Sequence, residues 1–247
     1  MSLYLELKKI FSFFIPKKFL FKHEEKFRSL LYLFYKGKKF QCSICEKKLN
    51  TFTKTLSNDF LCPFCGSLQR NRRLWLLLKN EFLKPNSIVL DFSPSRCLYR
   101  KMKKIKDIDY QSTDLSGDFI AENQFDITKI DVKNESYDLI ICYHILEHIE
   151  NDTLAMSELF RVLKPNSKIL IQTPFKEGEI YENPEIIALK ERLKHFGQED
   201  HVRIYSINGL KLRLENAGFL IEIKTDFKDD HYLGLDKNET ILIASKM

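Results

Sequence analysis

Four cysteines restrict this chain more tightly than anything else in it: Cys42-Ser-Ile-Cys45, then sixteen residues, then Cys62-Pro-Phe-Cys65-Gly66. Two C-x2-C pairs about 15–20 residues apart can set four thiolates around one Zn2+ at about 2.3 Å each. A tight turn aims both sulfurs of a pair at one point, and Gly66 lets the backbone fold back beneath the second pair. Two disulfides or free thiols are the other reading. Lysines interrupt every apolar run near the start and no small-residue cleavage site follows, so no secretory signal is expected. A cytoplasmic, reducing setting follows, in which disulfides are disfavoured. Cys42, Cys45, Cys62 and Cys65 are therefore predicted to bind a structural zinc, with no coordination position left for catalysis. Cys97 and Cys142 are expected to be ordinary core or loop thiols.

Charge is uneven along the chain. Residues 1–40 hold ten Lys/Arg against three Asp/Glu and eleven of the 31 aromatics, leaving 30 basic and 31 acidic residues in the rest. Within that basic segment, Leu3, Leu7, Ile10, Phe11 and Phe14 form one stripe at helical spacing, and Phe27, Leu30, Leu31, Phe34 and Tyr35 form another. Two helices are predicted. They pack on the body or a partner subunit, lie peripherally on an anionic membrane surface, or touch nucleic acid. The run Ile10–Pro16 is seven residues between lysines, against about 20 for a membrane span.

Beyond the cysteines, short apolar runs alternate with helical ones. Ser87–Phe92, Tyr110–Thr113, Tyr137–Tyr143 and Lys168–Thr173 read as buried strands, and Phe119–Phe125 as a further extended segment. Ser67–Leu83, Leu98–Lys104 and Asp152–Leu163 read as helical. That βαβ order predicts a doubly wound, mostly parallel α/β sheet. Leu210–Ala217 is a helix closed by Gly218, and Phe219–Lys224 and Thr240–Ser245 are strands able to pair antiparallel at one edge. The expected organisation is basic aromatic helices over 1–40, a zinc module over 41–67 and the α/β domain over 68–247.

In such sheets ligands bind beyond the carboxyl ends of the strands. The first predicted strand ends Asp91-Phe-Ser93, the second Ser112-Thr113-Asp114, and Asp126 follows the extended segment. Then come Tyr137-Asp138-Leu-Ile-Ile-Cys142-Tyr143-His144-Ile-Leu-Glu147-His148-Ile and Leu159-Phe-Arg161-Val-Leu-Lys164-Pro165-Asn166-Ser167. These two stretches resemble class I S-adenosylmethionine-dependent methyltransferases, whose fourth strand reads like FDLIxxxHVLEHI followed by LxRVLKPGG. The stretch Phe196-Gly-Gln-Glu-Asp200-His201-Val-Arg203-Ile-Tyr205 is similar to a narrower bacterial group that joins a cysteine module, a zinc ribbon, to this Rossmann-like domain.

The resemblance implies that Asp91, Ser93 and Ser95 sit at the first cofactor loop, that Asp114 holds the ribose hydroxyls, that Asp126 and Ile127 border the adenine, and that Cys142, Tyr143 and His144 line the methionine end of S-adenosylmethionine. Methyl transfer is then a displacement at a sulfonium, with His144 or His201 as the candidate base for the acceptor's proton. His148, four residues from His144, has no third metal ligand beside it in sequence and reads as packing near Glu147. The run from Tyr181 to His195 is either a substrate lid or a surface excursion. The glycine-rich first loop of the family is replaced by Ser93-Pro94-Ser95-Arg96-Cys97, which implies an altered pocket or a lost one. Three functions compete: a methyltransferase for a small or saccharide-like acceptor, an RNA methyltransferase like the ribosomal-RNA guanine enzymes that also carry a zinc module, and a cofactor-less scaffold.

Overall fold

The computed structural model describes residues 17–55 and 59–247, so the predicted helical stripe Leu3–Phe14 lies outside the described residues. The chain forms two compact units that are not contiguous in sequence. One holds the N-terminal part through Leu83 with Ser95–Ile105 and Asp226–Glu239; the other holds Lys84–Pro94, Lys106–Thr225 and Thr240–Met247. Among the described residues no helix is long and apolar enough to cross a membrane.

The first unit contains helix α1 (Lys17–Tyr32), the antiparallel pairs β1 (Lys36–Gln41) with β2 (Lys48–Leu49) and β3 (Thr53–Lys54) with β4 (Phe60–Leu61), helix α2 (Gln69–Leu77) and helix α3 (Arg96–Met102). Helix α1 does not bury the apolar stripe that its sequence advertises. Phe27 and Leu30 are 43% and 65% exposed, whereas Glu24 and Arg28 are buried. The reason is electrostatic: Glu24 accepts from Arg28 Nε at 2.9 Å and faces Arg96 and Arg100 at 3.2 and 3.3 Å. Burial alone would raise the Glu24 carboxyl, yet the guanidinium groups bring it below the usual carboxylate range. Arg28 also explains Gly66, which has φ +76° and would place a Cβ 3.0 Å from the Arg28 guanidinium.

The second unit is a six-stranded sheet. Its strands are β5 (Ile88–Phe92), β6 (Asp109–Thr113), β7 (Tyr137–Tyr143), β8 (Leu163–Gln172), β11 (Leu220–Lys224) and β12 (Ile241–Ser245), in the order β11-β12-β8-β7-β5-β6. The four strands from β6 to β8 are parallel, and β12 and β11 add an antiparallel edge. Val89, Leu90, Ile140, Ile141, Ile169 and Ile171 are fully buried, as continuous apolar runs in a parallel sheet require. Helices α4 (Asp152–Val162) and α6 (Ile207–Asn216) supply Leu159, Leu210 and Leu214 to the same core.

Phe119–Phe125 is not a strand. Asp114 Oδ2 takes the Phe119 amide at 3.3 Å and Gly117 turns with φ +75°, so the chain doubles back and leaves only a single bridge, Thr113 to Asn123. The turn after α4 behaves as its composition suggests. Asn166 occupies the left-handed region at φ +60° where a glycine would be common.

Candidate active site and metal centre

In the first unit the four cysteine sulfurs converge, all within 4.8 Å of one another. Cys42 and Cys65 Sγ are 3.6 Å apart and Cys45 and Cys62 Sγ 3.8 Å apart. Tetrahedral Zn–S bonds of about 2.3 Å put the sulfurs about 3.8 Å apart, so the donor set fits zinc. None of the six cysteines is joined in a disulfide in this structure. The buried Ser67 hydroxyl stands 3.2 Å from both Cys42 and Cys65 Sγ. Behind it Arg72, fully buried, donates to the carbonyls of Ser67, Phe60, Leu233 and Gly234. A fixed cation next to four sulfurs offsets the net negative charge of a four-thiolate zinc site. Burial pushes the Cys97 thiol up to about 11, as expected of a core thiol, and Cys142 is fully buried too. Ser95, which caps α3 at its N-terminus, belongs to this unit, its hydroxyl 3.4 Å from Cys97 Sγ.

In the second unit the order of strands reverses between β5 and β7, and polar groups gather at the carboxyl ends around that switch. Asp91 lies in β5, 1% exposed, accepting from Tyr110 Oη at 2.9 Å; burial pushes its carboxyl up to about 7. Ser93 adopts φ +45°, a left-handed conformation that favours glycine, and its hydroxyl donates to Asp114 Oδ1 at 2.7 Å. Asp114, 4% exposed, also accepts from Ser116 Oγ at 2.9 Å. Asp126 is exposed and closes a local turn by accepting from the Thr128 amide and hydroxyl, while Ile127 is in the core. Cys142 and Tyr143 end β7.

His144 follows at φ +56°, its amide donating to Gln172 O at 2.7 Å and its Nδ1 3.2 Å from Glu147 Oε1. Burial would raise the Glu147 carboxyl, but the hydrogen bond and charge of His144 hold it below the usual range. His144 Nε2, Gln172 Oε1 and Thr173 Oγ1 are buried atoms without a hydrogen-bond partner among the described residues. Gln172 and Thr173 escaped the sequence reading; the signal was two polar residues closing the apolar run Ile169-Leu-Ile.

His201 is brought to Glu147 and His148 and not to His144's open nitrogen. Its Nδ1 faces Phe196 O at 3.1 Å, and burial followed by the charge of His148 lowers its pKa. The segment is held by Arg203, which donates to the carbonyls of Leu146, Ile149 and Glu150 and to Glu182. Asp152 accepts from Tyr205 Oη and Arg213 Nη1, both at 2.5 Å. The run from Tyr181 to His195 carries the short pair β9 (Tyr181–Glu182) with β10 (Arg203–Ile204) and the helix α5 (Leu189–Phe196).

A family model described as a methyltransferase domain matches residues 68–222, well over half of the chain. The chain belongs to this methyltransferase family. No curated protein sequence matches it significantly. The methyltransferase fold is shared with solved structures of low identity. A chain of the Haloferax volcanii complex between the Trm112 methyltransferase activator and a methyltransferase gives a TM-score of 0.53 at 13% identity, over 70% of this chain and 88% of that one. An Archaeoglobus fulgidus SAM-dependent methyltransferase gives 0.52 at 17%, over 73% and 95%. Haemonchus contortus phosphoethanolamine N-methyltransferase 2, solved with phosphomonomethylethanolamine and S-adenosylhomocysteine, gives 0.51 at 17%, over 71% of this chain and 52% of that one. The chain is thus a class I methyltransferase with a four-cysteine module that fits zinc.

Proposed function

We propose that this methyltransferase uses S-adenosylmethionine to methylate a small or saccharide-like acceptor at an oxygen or nitrogen. The observation that carries the reading is the pairing of His144 with Glu147 at the end of β7. Glu147 Oε1 sits on Nδ1 and leaves Nε2 open, so the imidazole is oriented to take a proton from an acceptor. Bound S-adenosylmethionine supplies a methyl group on a positively charged sulfur. Asp114, with Ser93 and Ser116 already directing their hydroxyls to it, is the group for the two ribose hydroxyls. Ser93 adopts the positive φ that a glycine would tolerate at this position. Gln172 and Thr173 offer their unpartnered oxygens to the cofactor's amino acid end or to the acceptor. His144 is preferred to His201 as base because it directly follows β7 at its carboxyl end, its amide on Gln172 O, whereas His201 packs on the His148 ring and rests on Phe196 O. The near-neutral charge beyond residue 40 supports a small acceptor over RNA, and the Haemonchus contortus neighbour with a small acceptor is consistent with it.

The test is calorimetric titration of the zinc-loaded protein with S-adenosylhomocysteine. Micromolar binding is expected, weakened by about 100-fold in Asp114→Ala, since two hydrogen bonds to a charged group are lost. No heat from a folded wild-type protein refutes the reading and favours the scaffold alternative. RNA binding that weakens steeply with salt would instead favour the RNA enzyme.

A further inference from the structure

The turn Leu146–His148 and the segment leading into β10 meet where no neighbouring sequence announces it. Val202 N donates to Glu147 O at 2.9 Å, and the rings of His148 and His201 pack edge to face with centroids 4.7 Å apart. Glu147, His148 and His201 each present one ligand atom within 4.8 Å of the others. Glu147 and His201 are 1% and 3% exposed, and Glu147 Oε2 and His201 Nε2 have no hydrogen-bond partner among the described residues. Two buried polar atoms without a partner are costly unless a cation or proton satisfies them.

The outer contacts select between these. His201 Nδ1 rests on Phe196 O at 3.1 Å, and His148 Nδ1 on Asp200 Oδ2 at 3.2 Å. Metal-binding imidazoles are held in this way, with the second nitrogen donating to a carbonyl or carboxylate so that Nε2 keeps its lone pair for the ion. Glu147 likewise gives Oε1 to His144 and keeps Oε2. We propose that Glu147, His148 and His201 form a second divalent-metal site, separate from the four cysteines. Two imidazoles and a carboxylate suit Zn2+, Fe2+, Co2+ or Ni2+ over Mg2+ or Ca2+. Ligand atoms about 2.1 Å from one ion lie roughly 3–3.5 Å apart, so a bound ion would draw atoms now within 4.8 Å of one another closer together. Three protein ligands leave positions for an oxygen donor. That this donor is the methyl acceptor rests on the methyl-transfer reading; the binding of metal does not.

The experiment titrates Co2+ into the full-length protein with zinc already in the cysteine site. The expected result is one further equivalent with visible d–d absorption and no thiolate charge-transfer band. His148→Ala and His201→Ala should weaken it by more than about 100-fold, and Asp200→Ala, which removes only an outer contact, by about 10-fold. Should the His201 variant fail to fold, His148→Ala decides, because that side chain is 28% exposed. Absence of a second equivalent, or one retained unchanged in His148→Ala, overturns the site. S-adenosylhomocysteine titration of the same samples keeps the two readings apart. Cobalt bound without the nucleoside sinks methyl transfer and keeps the site, and the reverse sinks the site alone.

Discussion

Replacing Asp91 by asparagine should stabilise the protein, and more so as the solution becomes alkaline. The carboxyl is 1% exposed and burial raises it from 3.8 to about 7, with the Tyr110 hydroxyl as its hydrogen-bond partner. A group whose folded pKa is raised gives its full stability below the unfolded value, and that stability is lost as pH climbs through the folded one. The window here runs from near 4 to near 7. About three units at about 1.36 kcal/mol each make ionisation of Asp91 cost about 4 kcal/mol above neutrality. Asparagine keeps the oxygen that Tyr110 uses and cannot ionise. The difference in unfolding free energy between variant and wild type should grow from about 2 kcal/mol at about pH 5.5 to about 4 kcal/mol near pH 8 and then stay level. Urea denaturation across that range measures it, and taking the difference cancels every other titrating group. A difference that does not change with pH, or that shrinks as pH rises, would refute the assignment of burial as the dominant influence on this carboxyl.

Three further outcomes can be checked. Removing the metal with a strong chelator should unfold the cysteine-bearing unit, a loss on the order of 10 kcal/mol in small zinc sites; the single tryptophan, Trp75 in α2 of that unit, reports it by fluorescence. Gly218→Ala should cost about 1–3 kcal/mol in urea midpoint analysis, because φ is +103° and the new Cβ would stand 3.0 Å from the Phe160 ring. Asp152→Ala leaves Arg213 and Tyr205 without their shared acceptor and should destabilise by about 3–5 kcal/mol; a shift in thermal midpoint too small to measure would show that Glu182 suffices.

The central strands β5 and β7 were legible because they are buried on both faces and read as largely apolar runs; Tyr137–Tyr143 has the same limits in sequence and structure. The cysteine centre was legible because local spacing alone sets its geometry. Phe119–Phe125 misled because its apolar residues sit in a chain reversed by Asp114 and Gly117, whose effect depends on where β6 ends. Helix α1 was legible from its periodicity, but the face it buries was not, because periodicity does not register Arg96 and Arg100, some seventy residues later in the chain, which draw Glu24 inward. The meeting of His148 with His201 is likewise tertiary: fifty-two residues lie between them, and the Arg203 hydrogen bonds to the carbonyls of Leu146, Ile149 and Glu150 hold their two segments together.

Arg72 carries a consequence for synthesis of the chain. Two of its acceptors, Leu233 O and Gly234 O, follow it by 161 and 162 residues, which at ribosomal speeds of about 5–20 residues per second is a delay of roughly 8–30 s. The cysteines emerge long before, so zinc, if the four cysteines take it, can be loaded while the guanidinium that will be sealed beside them is still in water. Translation that stops short of Asp226 leaves the cysteine module without the carbonyls of Leu233 and Gly234 that hold Arg72, and quality-control proteases should recognise it as unfinished.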